Sequence, residues 1–177
     1  MAASTTRLTS FAQYLEIPNP PDGRYELHHG ELVNVPFPKH LHVRTQWQLR
    51  RLLDQAAGKD GLVETAIPYR PLPEYECWGA DVAYMPLVRW DAIVDWLIGV
   101  PEVVVEILSP SNSASEIRDK RKTCLENGGL EFWVVDPETR EVEVSTPDGH
   151  SNTYKSGQQI PLFFAPKSTI AVDAIFE

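Results

Sequence analysis

The stretch EVVVEILSPSNSASEIRDK, residues 102–120, decides how the rest of the chain can be arranged. Its first half is a short run of β-branched residues ended by a Ser-Pro pair, which is typical of a buried central strand. Its second half is a turn that leads into a helix, where Ser113 and Glu116 have the spacing of a capping box. Glu106 stands in the middle of the strand, and a buried carboxylate is costly unless another group pairs with it. We therefore expect a cation on the following helix to face Glu106.

Length and composition indicate one domain with a substantial core. The chain has 177 residues, of which 42% are hydrophobic, and no apolar stretch approaches the roughly 20 residues that span a bilayer. Its first ten residues lack the apolar segment of a secretory signal, and Cys77 and Cys124 fit no metal-binding spacing. We expect a cytoplasmic protein with reduced thiols and a single domain over residues 1–177, in which 1–38 form an N-terminal helix and hairpin extension.

The net charge of −9 argues against a protein that coats nucleic acid, because such proteins are normally basic. It does not exclude an enzyme that holds a polyanion through a local basic strip. Two groups of cations could supply that strip, namely Arg44, Arg50 and Arg51, and the group at positions 118 and 120–122. The alternative is that both groups are solvated helix faces.

The order of the predicted elements is hairpin, helix, then three strands, a helix and two further strands. This order predicts an α/β fold with a mixed central sheet, flanked by helices at 40–57 and 114–127. A pair of histidines, His40 and His42, stands at the start of the first of these helices. Residues two apart on a helix point away from each other, so the pair cannot share one ion. His42 remains open between a polar residue satisfied near the helix start and a participant in the site.

Three residues form the candidate site. Asp81 begins the apolar strand ADVAYM, and Glu106 follows on the next strand, 25 residues later. Two carboxylates on neighbouring strands can share one Mg²⁺, which accepts a few protein oxygens and keeps several waters. Lys120 could orient an attacking water or neutralise a phosphate, although helix periodicity does not choose between Lys120 and Arg121.

Four segments carry a resemblance to a known family: GRYELHHGELVNVP, GADVAYMP, VPEVVVEILSPSNSASEIRDK and GGLEFWVVDPETREVEV. From about residue 8 to the C-terminal IAVDAIF, the chain resembles the Uma-type putative restriction endonuclease family of the PD-(D/E)xK nuclease superfamily. The resemblance implies a restriction-endonuclease-like fold, namely a mixed β-sheet flanked by helices with an N-terminal β-hairpin. It also implies a divalent metal, Mg²⁺ or Mn²⁺, and hydrolysis of phosphodiester bonds in DNA. Because many nucleases of this superfamily pair so that two sites address two strands, we expect a homodimer.

The resemblance also suggests roles for particular residues. Asp81 matches the family's metal-binding aspartate, and Glu106 matches its second acidic ligand. The superfamily's usual lysine would fall at Leu108, but in the Uma-type family it lies on the following helix, at the position of Lys120 here. Glu31 of the hairpin matches an acidic position common in the family and is a candidate auxiliary metal ligand.

The leading hypothesis is therefore a Mg²⁺-dependent nuclease in which Asp81, Glu106 and Lys120 are catalytic. A catalytically idle nuclease-fold module that binds nucleic acid or protein is the first alternative, and the acidic net charge favours it. A carboxylate enzyme such as a glycoside hydrolase is the second, with Asp81 and Glu106 as its acid–base pair. That chemistry has no use for Lys120 and needs no metal.

Overall fold

The computed structural model describes residues 8–110 and 112–177. Residues 1–7 of the predicted N-terminal extension, and Ser111 of the turn before the second helix, lie outside the described residues. Within the described residues the helices are α1 Phe11–Leu15, α2 His40–Ala57, α3 Leu87–Trp90, α4 Ala114–Glu126 and α5 Val172–Ile175. The strands there are β1 Gly23–His28, β2 Glu31–Pro36, β3 Gly61–Arg70, β4 Trp78–Pro86, β5 Leu97–Ile98, β6 Val103–Ile107, β7 Glu131–Asp136, β8 Glu141–Ser145, β9 Ser151–Tyr154, β10 Gln159–Pro161 and β11 Thr169–Ala171.

A seven-stranded mixed sheet in the order β5-β3-β4-β6-β7-β8-β9 forms the centre of the fold. Strands β6 and β7 are parallel, and α4 makes the crossover between them, as such a connection requires. The β3–β4, β4–β6 and β7–β8 pairs are antiparallel. The predicted α/β class, with a mixed sheet and flanking helices, is confirmed.

Strand β6 is buried on both faces, as its apolar run predicts. Val103 and Val105 pack in the same core as Leu49 and Leu53 of α2. Val104 instead packs in the second core, which contains Ile117 of α4. Since side chains alternate along a strand, residue 106 shares the face of Val104 and lies on the α4 side.

Helix α4 begins where the sequence predicts. The Ser113 side chain accepts a hydrogen bond from the Glu116 N–H at 3.2 Å, and the Ser113 N–H donates to Glu116 Oε2 at 2.8 Å. Ile117 and Cys124 are buried against the sheet, and Lys120 lies between them on that side of the helix. The capping box thus sets the helical phase that turns residue 120 towards β6.

Strands β1 and β2 form a separate antiparallel hairpin, with His28 opposite Glu31 at its closed end. Its turn residues His29 and Gly30 have φ values of 52° and 77°, the positive values that a tight two-residue hairpin turn needs. Leu27 and Cys77 exchange two backbone hydrogen bonds of 2.9 Å, which attach the hairpin to the chain entering β4. No helix among the described residues is long and apolar enough to cross a membrane.

Candidate active site

Asp81 and Glu106 lie opposite each other on β4 and β6, one residue beyond the paired Val82 and Val105. Asp81 Oδ2 accepts a hydrogen bond of 2.8 Å from the Ile107 N–H, so the two carboxylates meet at the same point of the sheet. Both line a cavity of about 740 Å³, here called the site cavity, to which the β1–β2 hairpin and the beginnings of α2 and α4 also contribute. The convergence expected from the sequence is therefore present.

Lys120 reaches the same cavity from α4. Its Nζ lies 3.0 Å from Glu106 Oε2 and 3.7 Å from Glu26 Oε2, and its side chain is only 12% exposed. The neighbouring Arg121 turns to the other side and donates to Glu143 Oε2 at 2.9 Å. Of the two residues that helix periodicity did not separate, Lys120 is therefore the one beside Glu106.

Glu26 of β1 is a site residue that the sequence reasoning missed. It is 3% exposed, with Oε1 2.9 Å from Arg24 Nη2 and Oε2 2.9 Å from His28 Nε2. Gly79 of β4 permits this close approach, because a Cβ there would lie 2.7 Å from Arg24 Nη2 and 2.9 Å from Glu26 Oε1. The alternation R-Y-E-L-H was the available signal, since it puts these three ionisable side chains on one face of β1.

Glu31, the hairpin acid favoured by the resemblance, is placed elsewhere. It is exposed, stands at the closed end of the hairpin opposite His28, and does not line the site cavity. The hairpin carboxylate that the structure brings to Lys120 is Glu26.

The buried acids Glu106 and Glu26 have opposite electrostatic behaviour. Burial raises the pKa of Glu106 to about 8, the Asp81 and Glu26 carboxylates act in the same direction, and Lys120 opposes them. Glu106 Oε1 is buried and has no hydrogen-bond partner within residues 8–110 and 112–177. Burial alone would also raise the pKa of Glu26, but Lys120, His28 and Arg24 outweigh it and hold that pKa at about 2.

Lys120 stays protonated in this setting. Burial by itself lowers the pKa of its ammonium, but the carboxylates of Glu106 and Glu26 outweigh that effect and raise the pKa above the usual value. The site thus holds the Lys120 ammonium between two acids. Glu26 is a negatively charged carboxylate, whereas Glu106 readily binds a proton.

Helix α2 holds Asp81 from the other side. His42 Nε2 lies 3.1 Å from Asp81 Oδ1, and Gln46 Nε2 donates to the Asp81 carbonyl at 2.6 Å. These two residues are four apart and share one face of α2, whereas His40 is exposed. The structure thus places His42 beside Asp81, a contact that satisfies its side chain near the helix start and brings it next to the candidate site.

The α2 arginines do not reach the site cavity, although α2 packs over the sheet. Arg44 donates to the Glu177 carbonyl, Arg50 forms an ion pair of 2.7 Å with Glu64, and Arg51 donates to the Gln48 side chain. The Lys and Arg side chains that line the cavity among the described residues are Arg24, Lys39 and Lys120. The substrate-binding role of the three arginines therefore lacks support from their position.

The donor set suits a hard divalent cation. No cluster of three or more His, Cys, Asp or Glu side chains that could hold a metal lies within residues 8–110 and 112–177. Mg²⁺, however, commonly takes only one or two protein carboxylates, with waters and substrate phosphate as its other ligands. Asp81 and Glu106, which lie opposite each other, fit that pattern, because Glu106 Oε1 has no hydrogen-bond partner in the part of the chain that the structure describes.

Comparison with known proteins agrees with this fold. The family model described as "Uma2: Putative restriction endonuclease" matches residues 11–173. Among solved structures, a putative nuclease belonging to DUF820 from Anabaena variabilis ATCC 29413 superposes with a TM-score of 0.84. The sequences are 18% identical, and the match covers 94% of this chain and 97% of that one, so this likeness shows a shared fold. No functionally curated protein matches the chain.

Proposed function

Since the chain belongs to the Uma2 family of putative restriction endonucleases, we propose that it is a divalent-metal-dependent nuclease that hydrolyses phosphodiester bonds of DNA. One observation carries the proposal: Asp81, Glu106 and Lys120 meet in one cavity, where a buried glutamate oxygen has no hydrogen-bond partner among the residues that the structure describes. Two acids and a lysine converging from β4, β6 and α4 are the groups that phosphodiester hydrolysis uses.

Asp81 and Glu106 would hold Mg²⁺ or Mn²⁺. When bound, the ion would make hydroxide more accessible from water and would stabilise negative charge on a phosphoryl oxygen. The Ile107 N–H and His42 hold the Asp81 carboxylate in place, through its Oδ2 and Oδ1 respectively. Glu106 must lose its proton before both of its oxygens can serve as ligands.

Lys120 is the catalytic cation in this proposal. Its ammonium is fixed between Glu106 and Glu26 and keeps its charge, so it can donate a hydrogen bond to a phosphate oxygen or to the attacking water. Glu26 acts through Lys120, because its carboxylate neutralises and positions the ammonium. Such a preorganised donor needs little rearrangement during the reaction.

A cleavage assay with Mg²⁺, Mn²⁺ or EDTA, on single-stranded and duplex DNA, tests the proposal. Glu106→Gln keeps the side-chain shape but removes a charged metal ligand, and we therefore expect it to abolish metal-dependent cleavage. Glu31→Gln is the matched control and should cleave as the wild type does. Equal activity in all three proteins would show that Glu106 has no catalytic part.

Calorimetry with Mn²⁺ separates the proposal from the idle binding module. The wild type and Glu31→Gln should bind the ion, and Glu106→Gln should not. DNA binding without cleavage at any metal concentration would instead favour the catalytically idle binding module. The acidic net charge of −9 is an argument for that alternative. The homodimer remains a prediction. The molar mass measured by light scattering during size-exclusion chromatography checks it.

A further inference from the structure

One wall of the site cavity is apolar and faces solvent. It is formed by β2, the short segment that leads into α2 and the first turn of α2. It consists of Val33, Val35, Pro36, Phe37, Pro38 and Leu41. Phe37 is 68% exposed and Leu41 is 54% exposed. Large apolar side chains that line a polar site and remain exposed point to an apolar part of a ligand.

The segment that carries Phe37 is stiff. Pro36 and Pro38 flank Phe37, and a following proline restricts a residue to extended backbone. The Phe37 N–H also donates to the Asp22 carbonyl at 3.2 Å. The backbone that carries the aromatic ring is therefore already ordered. Contact with a ligand then costs this segment little conformational entropy.

The charges of the site cavity do not suit the backbone of a duplex. Duplex DNA carries one negative charge per about 1.7 Å, and proteins hold it with many lysines and arginines. Here Arg24 is paired with Glu26 and Lys120 with Glu106, while Lys39 is exposed at the cavity. Affinity must therefore come largely from something other than phosphate contacts.

We infer that Phe37 stacks on an unpaired base, and that the substrate of the proposed nuclease is single-stranded nucleic acid. This inference rests on the proposed function. Aromatic stacking needs a free base face, which a single strand offers and a base-paired stack covers. A base stacked on Phe37 and Leu41 would occupy the same cavity as Asp81 and Glu106, so its adjoining phosphates would be near these two acids.

Fluorescence anisotropy of a labelled oligonucleotide, single-stranded or annealed to its complement, tests the inference. Ca²⁺ replaces Mg²⁺ so that binding is measured without turnover. The proteins are the wild type, Phe37→Ala, Phe37→Trp and the control Trp47→Ala. Trp47 is suitable because it is 59% exposed on α2 and does not line the site cavity.

The wild type should bind the single strand more tightly than the duplex. Phe37→Ala should weaken single-strand binding by roughly ten-fold or more, the loss expected for one stacked base, and should raise KM more than it lowers kcat. Phe37→Trp should retain binding because the ring is kept, and Trp47→Ala should match the wild type.

Two results overturn the inference. Tighter or equal binding of the duplex would do so, and so would equal losses in Phe37→Ala and Trp47→Ala. If metal-dependent cleavage survives in either case, the proposed function stands and only the substrate class is wrong. Absence of binding to both forms, together with absence of cleavage, would overturn the proposed function and the inference with it.

Discussion

Replacing Glu106 with glutamine should change how stability depends on pH. The pKa of this carboxyl is about 8 in the folded protein and near the usual 4.5 when the chain is unfolded. Between these values the folded state binds more protons than the unfolded state, so the free energy of unfolding falls as pH rises. The slope is about 1.4 kcal/mol per pH unit well between the two pKa values and flattens near each of them. Glu106 should therefore lower wild-type stability by roughly 3–4 kcal/mol between pH 5 and pH 8. Glutamine has no proton to lose, so Glu106→Gln should become steadily more stable relative to the wild type as the pH rises.

Urea denaturation in EDTA at pH 5, 6, 7 and 8 measures this difference, since the other titrating groups are common to both proteins. Glu31→Gln is the control, because Glu31 is exposed, and its curve should run parallel to that of the wild type. A gap between Glu106→Gln and the wild type that stays constant with pH would refute the reasoning, since Glu106 would then titrate normally. Adding Mn²⁺ at pH 7 should stabilise the wild type by about 2.7 kcal/mol at a hundred times Kd and leave Glu106→Gln unchanged.

Three further predictions concern the groups around the two carboxylates. Lys120→Met should lower the free energy of unfolding by roughly 3–5 kcal/mol, because it leaves buried acids without their cation. Lys122 is exposed, so Lys122→Met should change that free energy by no more than about 0.5 kcal/mol. Equal urea midpoints for the two variants would contradict this prediction. His42→Ala should weaken Mn²⁺ binding by roughly 10- to 100-fold through loss of its contact to Asp81, while calorimetry on the exposed His40→Ala should give the wild-type affinity. Gly79→Ala should cost about 1–3 kcal/mol, because its Cβ would displace the hairpin ion pair; an unchanged free energy of unfolding would count against that packing.

Local features of the chain were predictable because their causes are local. The apolar run of β6 is buried on both faces, Ser113 and Glu116 form the expected capping box, and His29-Gly30 makes the tight turn. Hydrogen bonding within a few residues and the period of the apolar positions decide these features. The expectation that the carboxylates of β4 and β6 converge rested on a lone acid on each strand together with the family resemblance. The register of the two strands places both acids on one face of the sheet.

The cation that completes the site needed the tertiary structure. Lys120 and Arg121 are adjacent on α4 and flank the same apolar line, so the helical period alone could not separate them. The packing of α4 on the sheet separates them, because it places Glu106 and Glu26 beside Lys120 and puts Glu143 of β8 beside Arg121.

The tertiary structure also decided which side chains of the hairpin and of α2 reach the site cavity. Sequence reasoning favoured Glu31 over Glu26 and expected Arg44, Arg50 and Arg51 at the substrate. The backbone bridge between Leu27 and Cys77 instead lays the middle of β1 over β4, and the arginines contact other partners. The sequence by itself therefore determined the buried strand β6, the start of α4 and the hairpin turn, because these follow from local periodicity and local hydrogen bonding. Asp81 and Glu106 were chosen with the help of the family resemblance as well. Only the tertiary structure decided which charged groups stand beside these two acids, because residues distant in sequence supply them.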